Sequence, residues 1–500
     1  MRPSTLLLSA TLASAGFTLQ RSDDDAQGGN NSTPRIAIVG AGAGGSSAAF
    51  WIAKAKERFG VDVEIDVYEQ NSYVGGRSIP VHPNDDPELL PVETGASIFV
   101  RSNKNLWRAT QEFNLTLNPF GEDDGGDTGY WDGEKLVLTI PSDSNGTELL
   151  LRYGADALQN TDAITTYMNQ HFLGLYNSSD TLRWENIASL VAKLGLLDLT
   201  GNSTANYFES NGVSAQFVNE IVEGALRINY GQNADKIHAM GGAVSLSADG
   251  ASQVTGGNYQ IFENFLKYSG ATVYLNTKVT AITSEDENSW TVRSAEGSKL
   301  YKGVILAAPL HQTGIDLPPS IVSQVPEQPY VHLHVTLFST TSPSINPEYV
   351  SLPPNSHALT TLLTTYQGAR DGGKAPEFNS LDYQRKIGDS EWVVKIFSEE
   401  EISDEWLNET FSGQVGWVYR KEWDAYPRLF PTTSFPPVKL GSGFYYVNAL
   451  EPFISTMETE TVASRNVVDQ LLIERFNASV CGPEASVPDN AEDFVFGWDC

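Results

Sequence analysis

Three glycines near the N-terminal end of the chain have the spacing of a dinucleotide-binding turn. They are Gly40, Gly42 and Gly45, in the pattern G-x-G-x-x-G, between an apolar run at 36–39 and an alanine-rich segment. The first permits a tight turn, the second lets the backbone approach a pyrophosphate, and the third lets a helix pack closely on a strand. The helix N-terminus adds free N–H groups and a positive dipole end. The pattern predicts a strand, turn and helix that hold a dinucleotide; the alternative is a glycine-rich helix that packs without a ligand.

An acid and an arginine follow at the positions where such a site would use them. Glu69 ends a second predicted strand at 61–68, where a carboxylate can accept the ribose hydroxyls of a dinucleotide. The motif Val74-Gly-Gly-Arg77 comes next, so the backbone at Gly76 could pass close to phosphate and Arg77 could neutralise it. Taken alone, this motif would be a plain turn with a solvated arginine.

The composition indicates a large globular protein with a strongly negative net charge. The net charge of −30 would repel a phosphate backbone, which argues against a nucleic-acid partner.

Residues 1–15 are typical of a signal peptide: Arg2, an apolar stretch at 6–13, and the small residues Ala13-Ser-Ala15. A disordered or buried N-terminus is the alternative. No later run of 18 apolar residues occurs, so the sequence predicts no transmembrane segment.

Sequons and cysteines also support entry into the secretory route. Asn-x-Ser/Thr triplets begin at eight positions: Asn30, Asn31, Asn114, Asn145, Asn177, Asn202, Asn408 and Asn477. Cys481 and Cys500 are the only cysteines, and in an oxidising compartment they are expected to pair and fix the tail. Two free thiols are the alternative. The expected address is the lysosome, the vacuole or the extracellular space.

The order of motifs indicates an α/β fold with two interleaved domains. After a flexible lead-in at 16–34, residues 35–120, 241–311 and 440–476 are expected to form a discontinuous Rossmann-like nucleotide-binding domain. Residues 121–240 and 312–439 are expected to form an α+β substrate domain, and 477–500 a C-terminal tail. Short apolar runs at 271–275, 279–282, 290–293 and 304–308 predict strands. Residues 441–451 are expected to form one last strand and 462–476 a helix.

Helical spacing of apolar residues predicts helices at 155–176 and 213–229, which would form walls of a substrate chamber or ordinary helical core. In the alternating run at 331–335, His332 and His334 lie on one face of a strand. Two histidines at this spacing could begin a metal site, but no third ligand cluster accompanies them in the sequence. The sequence therefore predicts a strand and no metal.

With these pieces assembled, the chain resembles the prenylcysteine oxidase (prenylcysteine lyase) family of flavoenzymes. The dinucleotide motifs are shared with amine oxidases and other two-dinucleotide-fold flavoproteins, whereas the segments at 226–232 and 241–246 are family-specific. The remaining segments that carry the resemblance are 254–258, 307–311, 423–427 and 445–451. The resemblance implies noncovalent FAD. It also implies oxidative cleavage of the thioether of farnesyl- or geranylgeranyl-cysteine by O2, giving cysteine, a prenyl aldehyde and hydrogen peroxide.

Further site residues follow from analogy with the flavoprotein fold. Ala96, Val279, Glu451 and Met457 are expected to contact the cofactor. His311, after a strand end, and Arg227, a candidate partner for the substrate carboxylate, are candidates for the reaction centre. A hydrogen-bonded loop histidine and an internal ion pair are the respective alternatives.

Two other functions stay open from sequence. A flavin amine oxidase on another substrate would carry the same nucleotide motifs, and a non-catalytic secreted glycoprotein could bind FAD and lipid. A hydrolase is not supported, because the chain has no G-x-S-x-G nucleophile elbow.

Overall fold

The glycine turn lies at the carboxyl end of an inner strand of a six-stranded sheet. The structure is a computed structural model, and it describes residues 33–119, 126–179, 181–248, 250–482 and 494–500. The predicted signal peptide, the lead-in as far as residue 32, and the sequons at Asn30 and Asn31 lie outside the described residues. From Pro34 to Cys500 the chain forms one compact unit.

The strands, in chain order, are short at the N-terminal end and longest in the middle of the chain. They are β1 (Arg35–Val39), β2 (Glu64–Tyr68), β3 (Pro80–Val81), β4 (Val92–Glu93), β5 (Leu117–Pro119), β6 (Asp127–Trp131), β7 (Leu136–Ile140), β8 (Ser252–Val254), β9 (Thr272–Tyr274), β10 (Val279–Asp286), β11 (Ser289–Ser294), β12 (Gly297–Tyr301), β13 (Gly303–Leu306), β14 (Tyr330–Thr340), β15 (Leu359–Thr364), β16 (Ser380–Gly388), β17 (Glu391–Ser398), β18 (Val415–Pro427), β19 (Lys439–Gly441) and β20 (Phe444–Tyr446).

The α-helices are interspersed among these strands along the chain. They are α1 (Ala43–Phe59), α2 (Lys104–Glu112), α3 (Thr147–Phe172), α4 (Gly174–Asn177), α5 (Ile187–Lys193), α6 (Leu197–Gly201), α7 (Thr204–Ser210), α8 (Ala215–Phe217), α9 (Glu223–Tyr230), α10 (Ala239–Ser245), α11 (Tyr259–Ser269), α12 (Pro319–Val322), α13 (Gln367–Arg370), α14 (Asp404–Thr410) and α15 (Met457–Phe476). Short 3₁₀ turns occur at Pro83–Asp85, Leu310–Gln312, Pro347–Val350 and Val447–Leu450, and a π-helical turn at Val218–Val222. Within the described residues, no helix has the length and apolar character to cross a membrane.

The six-stranded sheet has the order β19-β20-β13-β1-β2-β9, and all its pairs except β19 with β20 are parallel. Its inner strands β1 and β13 are largely apolar because both faces are covered: α1 and α15 pack on one, and the three-stranded antiparallel sheet β10-β11-β12 packs on the other. α1 packs against α11 and α15. The sheet confirms the predicted α/β, Rossmann-like fold.

A seven-stranded sheet of order β18-β14-β17-β16-β15-β6-β7 forms the second layer, and all its pairs except β15 with β6 are antiparallel. Side chains alternate between its two faces. Leu333 and Val335 of β14 pack with Phe397 on one face. His332 and His334 therefore lie on the opposite face.

The predicted domain boundaries stay a prediction. The prediction of one strand over 441–451 is wrong in two places: a turn at 442–443 separates β19 from β20, and within this range, which the structure describes in full, no strand follows Tyr446. β20 ends at Tyr446 and the 3₁₀ turn Val447–Leu450 follows. The physical reason is that the partner strand β13 ends at Leu306, so no ladder partner exists beyond Tyr446.

The C-terminal segment returns to the nucleotide-binding sheet's helices. The Cα atoms of Cys481 and Cys500 lie 5.2 Å apart, a separation that a disulfide spans. The backbone carbonyl of Trp498 accepts a hydrogen bond from Arg58 of α1. This separation is compatible with the predicted pairing, which stays a prediction.

Removing this disulfide should weaken the fold. The two cysteines are 19 residues apart, and the loop-entropy model gives about 3 kcal/mol for a loop of this length. We expect Cys481→Ser to lower the free energy of unfolding in denaturant by about that amount. Reducing agent should shift the wild-type curve and leave the variant unchanged. A wild-type curve insensitive to reductant would contradict the pairing.

Candidate cofactor and substrate cavity

The two glycine motifs meet and form one backbone cradle. A Cβ atom at Gly45 would lie 1.8 Å from the carbonyl oxygen of Gly40, so no other residue fits the turn into α1. Gly76 has φ +61°, and a Cβ there would lie 3.1 Å from the Cα of Gly42. The backbones at 42 and 76 are thus in contact along one wall. Within the described residues, no side chain caps the N-terminus of α1, so its N–H groups remain available to an anion.

Glu69, which directly follows β2, is hydrogen-bonded to the backbone of this glycine cradle. Its Oε2 accepts the backbone N–H of Ala41 at 2.9 Å, and its Oε1 accepts the backbone and side-chain N–H groups of Asn71, each at 2.8 Å. The carboxylate lines the cavity described below. Its remaining lone pairs are placed where a ribose could donate hydrogen bonds.

Arg77 and Glu451, predicted separately as cofactor residues, are joined to each other. Arg77 Nη2 and Glu451 Oε1 lie 2.5 Å apart, and Glu451 is 1% exposed. Arg77 also donates to the carbonyl of Ala425, while Tyr330 and Ser455 donate to Glu451. Burial by itself would lower the pKa of Arg77, but the Glu451 carboxylate more than offsets this and raises the pKa above its ordinary value. The arginine therefore neutralises a buried acid of its own chain, a role the sequence did not predict, and it also lines the cavity.

One continuous cavity of about 1530 Å³ runs from this cradle to the second sheet. Ordinary ligand sites occupy about 300–1,000 Å³, so this cavity has room for a dinucleotide together with a substrate. A glycine cradle, an uncapped helix N-terminus and an inward carboxylate are the donor set that a dinucleotide needs, and the residues fit such a cofactor.

The far part of the cavity carries a group of apolar side chains alongside polar ones such as Asp382, Gln384 and Arg385. Its wall combines helices of the insertion with the sheet, through Tyr130, Met168, Phe172, Ile228, Val244 and Leu363. Trp423 of β18 also lines it, and the indole packs so closely on Gly95 that a Cβ there would lie 2.4 Å from the ring. This apolar group suits a long hydrocarbon chain.

A buried lysine, Lys395, lines the same cavity, and a buried glutamate, Glu93, lies next to it without lining the cavity. Lys395 of β17 donates to Ser97 Oγ at 3.2 Å and to the carbonyl of Glu93 at 3.4 Å. Burial lowers the pKa of Lys395 to about 8 and raises the pKa of Glu93 to about 7. Glu93 Oε1 accepts the N–H of Asn258 at 2.6 Å, while its Oε2 has no hydrogen-bond partner among the described residues. Perturbed groups of this kind are typical of functional sites.

The structure brings most of the predicted cofactor residues together. Those that line the cavity are Gly40, Gly42, Glu69, Gly76, Arg77, Ala96 and Met457. Gly45 lies behind the turn, and Glu451 reaches the cavity only through Arg77. Val279 is a buried residue at the start of β10 and does not line the cavity.

The two candidates for the reaction centre lie outside the cavity. Arg227 is 3% exposed, and its guanidinium donates to Thr364 Oγ1 at 2.7 Å and Asn233 Oδ1 at 2.8 Å. It therefore braces α9 against the second sheet instead of facing a substrate. His311 Nε2 donates to the carbonyl of Val325 at 2.8 Å, which corresponds to the hydrogen-bonded loop histidine. Neither placement supports a role at the reacting atoms.

Buried acids make the stability of this region depend on pH. Burial raises the pKa of Glu458, as of Glu93, to about 7 from the ordinary value of 4.5. The folded protein thus binds more protons than the unfolded chain between these values, and the free energy of unfolding should fall as the pH rises through this window. His238 acts in the opposite direction only below pH 6.5, because burial lowers its pKa to about 4.

We expect the thermal unfolding midpoint to be higher near pH 5.5 than near pH 8. The scan should be repeated at high salt. Salt screens repulsion among surface carboxylates and leaves the buried ones little affected, so the trend should persist. A midpoint that rises steadily from pH 5.5 to pH 8 would show that these acids are charged in the folded protein.

Comparison with known proteins decides the family. Residues 142–481 match the family model described as prenylcysteine lyase. The chain belongs to the prenylcysteine lyase family. Residues 38–113 also match a model described as an NAD(P)-binding Rossmann-like domain.

Two relatives of the prenylcysteine lyase family are similar along almost their whole length. Farnesylcysteine lyase of Arabidopsis thaliana is 31% identical over 474 residues, covering 90% of this chain and 91% of the relative. Prenylcysteine oxidase 1 of Homo sapiens is 29% identical over 460 residues, covering 86% and 87%.

Solved structures show that this chain has a fold similar to that of amine oxidases. A putrescine oxidase variant aligns with a TM-score of 0.60 at 16% identity, covering 88% of this chain and 99% of that one. Cyclohexylamine oxidase from Brevibacterium oxydans aligns with a TM-score of 0.58 at 16% identity, covering 89% and 99%. This likeness confirms the predicted amine-oxidase-like architecture.

Proposed function

We propose that this protein is an FAD-dependent oxidase that cleaves the thioether of farnesyl- or geranylgeranyl-cysteine. The observation that carries the proposal is the continuity of the glycine cradle with a chamber that carries a group of apolar side chains, in a chain of the prenylcysteine lyase family. The names of the relatives, farnesylcysteine lyase and prenylcysteine oxidase 1, supply the substrate class.

The overall reaction consumes the thioether, O2 and water, and yields a prenyl aldehyde, cysteine and hydrogen peroxide. A bound flavin supplies an acceptor for the hydride that leaves the carbon next to sulfur, and oxygen finally receives the electron pair. Water provides the aldehyde oxygen, and its second proton goes to the departing thiolate.

The protein's own contribution is to hold FAD and to place the substrate beside it. Gly40, Gly42, Gly76 and the N-terminus of α1 would bind the diphosphate, and Glu69 the ribose. The apolar wall would bind the isoprenoid, at about 0.8 kcal/mol per buried CH₂ group. The fit of the chain would fix the reacting carbon in one place and exclude bulk water.

Lys395 would bind the carboxylate of the cysteine headgroup. Lys395 lines the cavity. Arg227, the candidate partner for the substrate carboxylate from sequence, does not line it. The depressed pKa of Lys395, about 8, leaves this lysine charged in acidic and neutral solution. A charge-assisted hydrogen bond at a buried position is strong enough to orient the substrate.

Measuring the products formed from each substrate, supplied separately, tests this function. Purified protein should release hydrogen peroxide, farnesal and free cysteine in equal amounts from farnesylcysteine, and no peroxide from putrescine or cyclohexylamine. Peroxide from the amines alone would make the protein an amine oxidase. Bound flavin with no turnover of either class would favour the non-catalytic glycoprotein.

We further propose a place on the secretory route, in a lysosome, a vacuole or the extracellular space. The side chains of Asn114, Asn145, Asn202, Asn408 and Asn477 belong to exposed residues, where a glycosyltransferase can reach them. The paired cysteines suit an oxidising compartment. Removal of N-glycans should lower the apparent mass of the protein from a eukaryotic host, and its mature N-terminus should follow residue 15.

A further inference from the structure

A cluster of metal-binding side chains lies on the second sheet. His332, His334 and Glu422 do not line the cavity, whereas the neighbouring Asp424 also borders it. His332 and His334 point the same way because they alternate with Leu333, which lines the cavity. β18 pairs antiparallel with β14, and the register sets Glu422 opposite His334 and Asp424 opposite His332. Long-range pairing thus supplies the third ligand that the sequence did not reveal.

The distances suit a single ion. Glu422 Oε2 lies 3.7 Å from His332 Nε2 and 4.0 Å from His334 Nδ1, and the three ligand atoms all lie within 4.8 Å of one another. Metal–ligand bonds of about 2.0–2.2 Å in a tetrahedral site put neighbouring ligands about 3.4 Å apart. Glu422 and His332 have exposed side chains, so small rotations close the difference.

Asp424 completes the arrangement. Its Oδ1 lies 3.1 Å from His332 Nδ1, so this nitrogen carries the proton and Nε2 keeps its lone pair toward Glu422. Histidines that bind metals commonly donate their other N–H to a carboxylate in this way, which fixes tautomer and ring orientation. His334 is less exposed, and its ring stands edge-on to that of His332 at 5.3 Å.

We propose that His332, His334 and Glu422 bind one divalent transition-metal ion of the zinc type, with Asp424 as the orienting acid. Imidazole ligands favour zinc and its neighbours, whereas calcium and magnesium prefer oxygen ligands alone. Three protein ligands leave one position for water. The ion links the edge strand β18 to β14, and none of its three proposed ligands lines the cavity, although Asp424 does.

Zinc and cobalt titrations of the tag-free holoprotein test the site. The wild-type chain should bind one zinc ion, and Co²⁺ should give the intense visible absorption of a four-coordinate site. His334→Ala and Glu422→Gln should each weaken zinc binding at least tenfold, and Asp424→Asn by about 10- to 100-fold. His357→Ala is the matched control, since His357 is 89% exposed and lies elsewhere on the surface; it should bind zinc as the wild type does.

Equal zinc affinity in wild type and His334→Ala, or no zinc binding by the wild type, would overturn the proposal. Far-UV circular dichroism checks that each variant is folded. If His334→Ala misfolds, Glu422→Gln decides, because Glu422 is 68% exposed and its replacement leaves the core untouched.

Discussion

Replacing Lys395 with methionine should lower kcat/KM for farnesylcysteine about 10- to 150-fold, with most of the change in KM. The estimate corresponds to about 1.5–3 kcal/mol for a lost hydrogen bond to a charged group. Methionine keeps the length of the side chain and removes the charge, so the apolar wall should stay intact. Flavin content should not change, because Lys395 lies on the sheet and touches Ser97 and the carbonyl of Glu93.

A substrate without a carboxylate makes this prediction specific. S-farnesylcysteamine retains the amine, the thioether and the prenyl chain, and the Lys395→Met variant should turn it over as fast as the wild type does. Lys386→Met, which removes an exposed lysine of the same sheet, should leave both substrates unaffected. An equal loss on both substrates would show that Lys395 supports the cavity without binding the carboxylate.

Replacing Arg77 with methionine should both destabilise the fold and abolish flavin retention. Glu451 is 1% exposed and would keep its charge without its principal partner. Breaking a buried ion pair from one side typically costs about 3–5 kcal/mol. Denaturant unfolding and the flavin-to-protein absorbance ratio of the purified variant measure the two effects separately.

The double variant Arg77→Met with Glu451→Gln separates structure from cofactor binding. Removing both charges should restore much of the lost stability, since the glutamine still accepts hydrogen bonds from Tyr330 and Ser455. Flavin should remain absent if Arg77 also serves the cofactor. Recovery of full flavin content together with stability would limit Arg77 to its role in the fold.

The local motifs could be predicted from sequence because their causes are local. The turn at Gly40–Gly45 depends on sterics between neighbouring residues, and a Cβ at Gly45 would meet Gly40 itself. The buried strands β1, after Arg35, and β13 are apolar, so their pattern identifies them in the sequence. The contact between Gly42 and Gly76 follows from two motifs that serve one ligand.

The rest of the site depends on pairings between distant segments. Arg77 and Glu451 are 374 residues apart, and nothing near either residue indicates the other. In the sequence, Lys395 is one lysine in an apolar segment, and nothing nearby indicates that β17 brings it into contact with Ser97. The same holds for Glu422, which becomes a neighbour of His334 only through the register of β14 with β18. The hydrophobic pattern of a segment identifies it as a strand, but it does not determine which other strand it pairs with.

The central claim is that this cavity holds FAD beside a prenyl thioether, and the anaerobic absorption spectrum tests it most directly. The purified protein should be yellow with flavin bands, and farnesylcysteine should bleach them without oxygen, with colour returning on exposure to air. A folded protein that is colourless and cannot be reconstituted with FAD would contradict the claim, as would bound flavin that no prenylcysteine reduces.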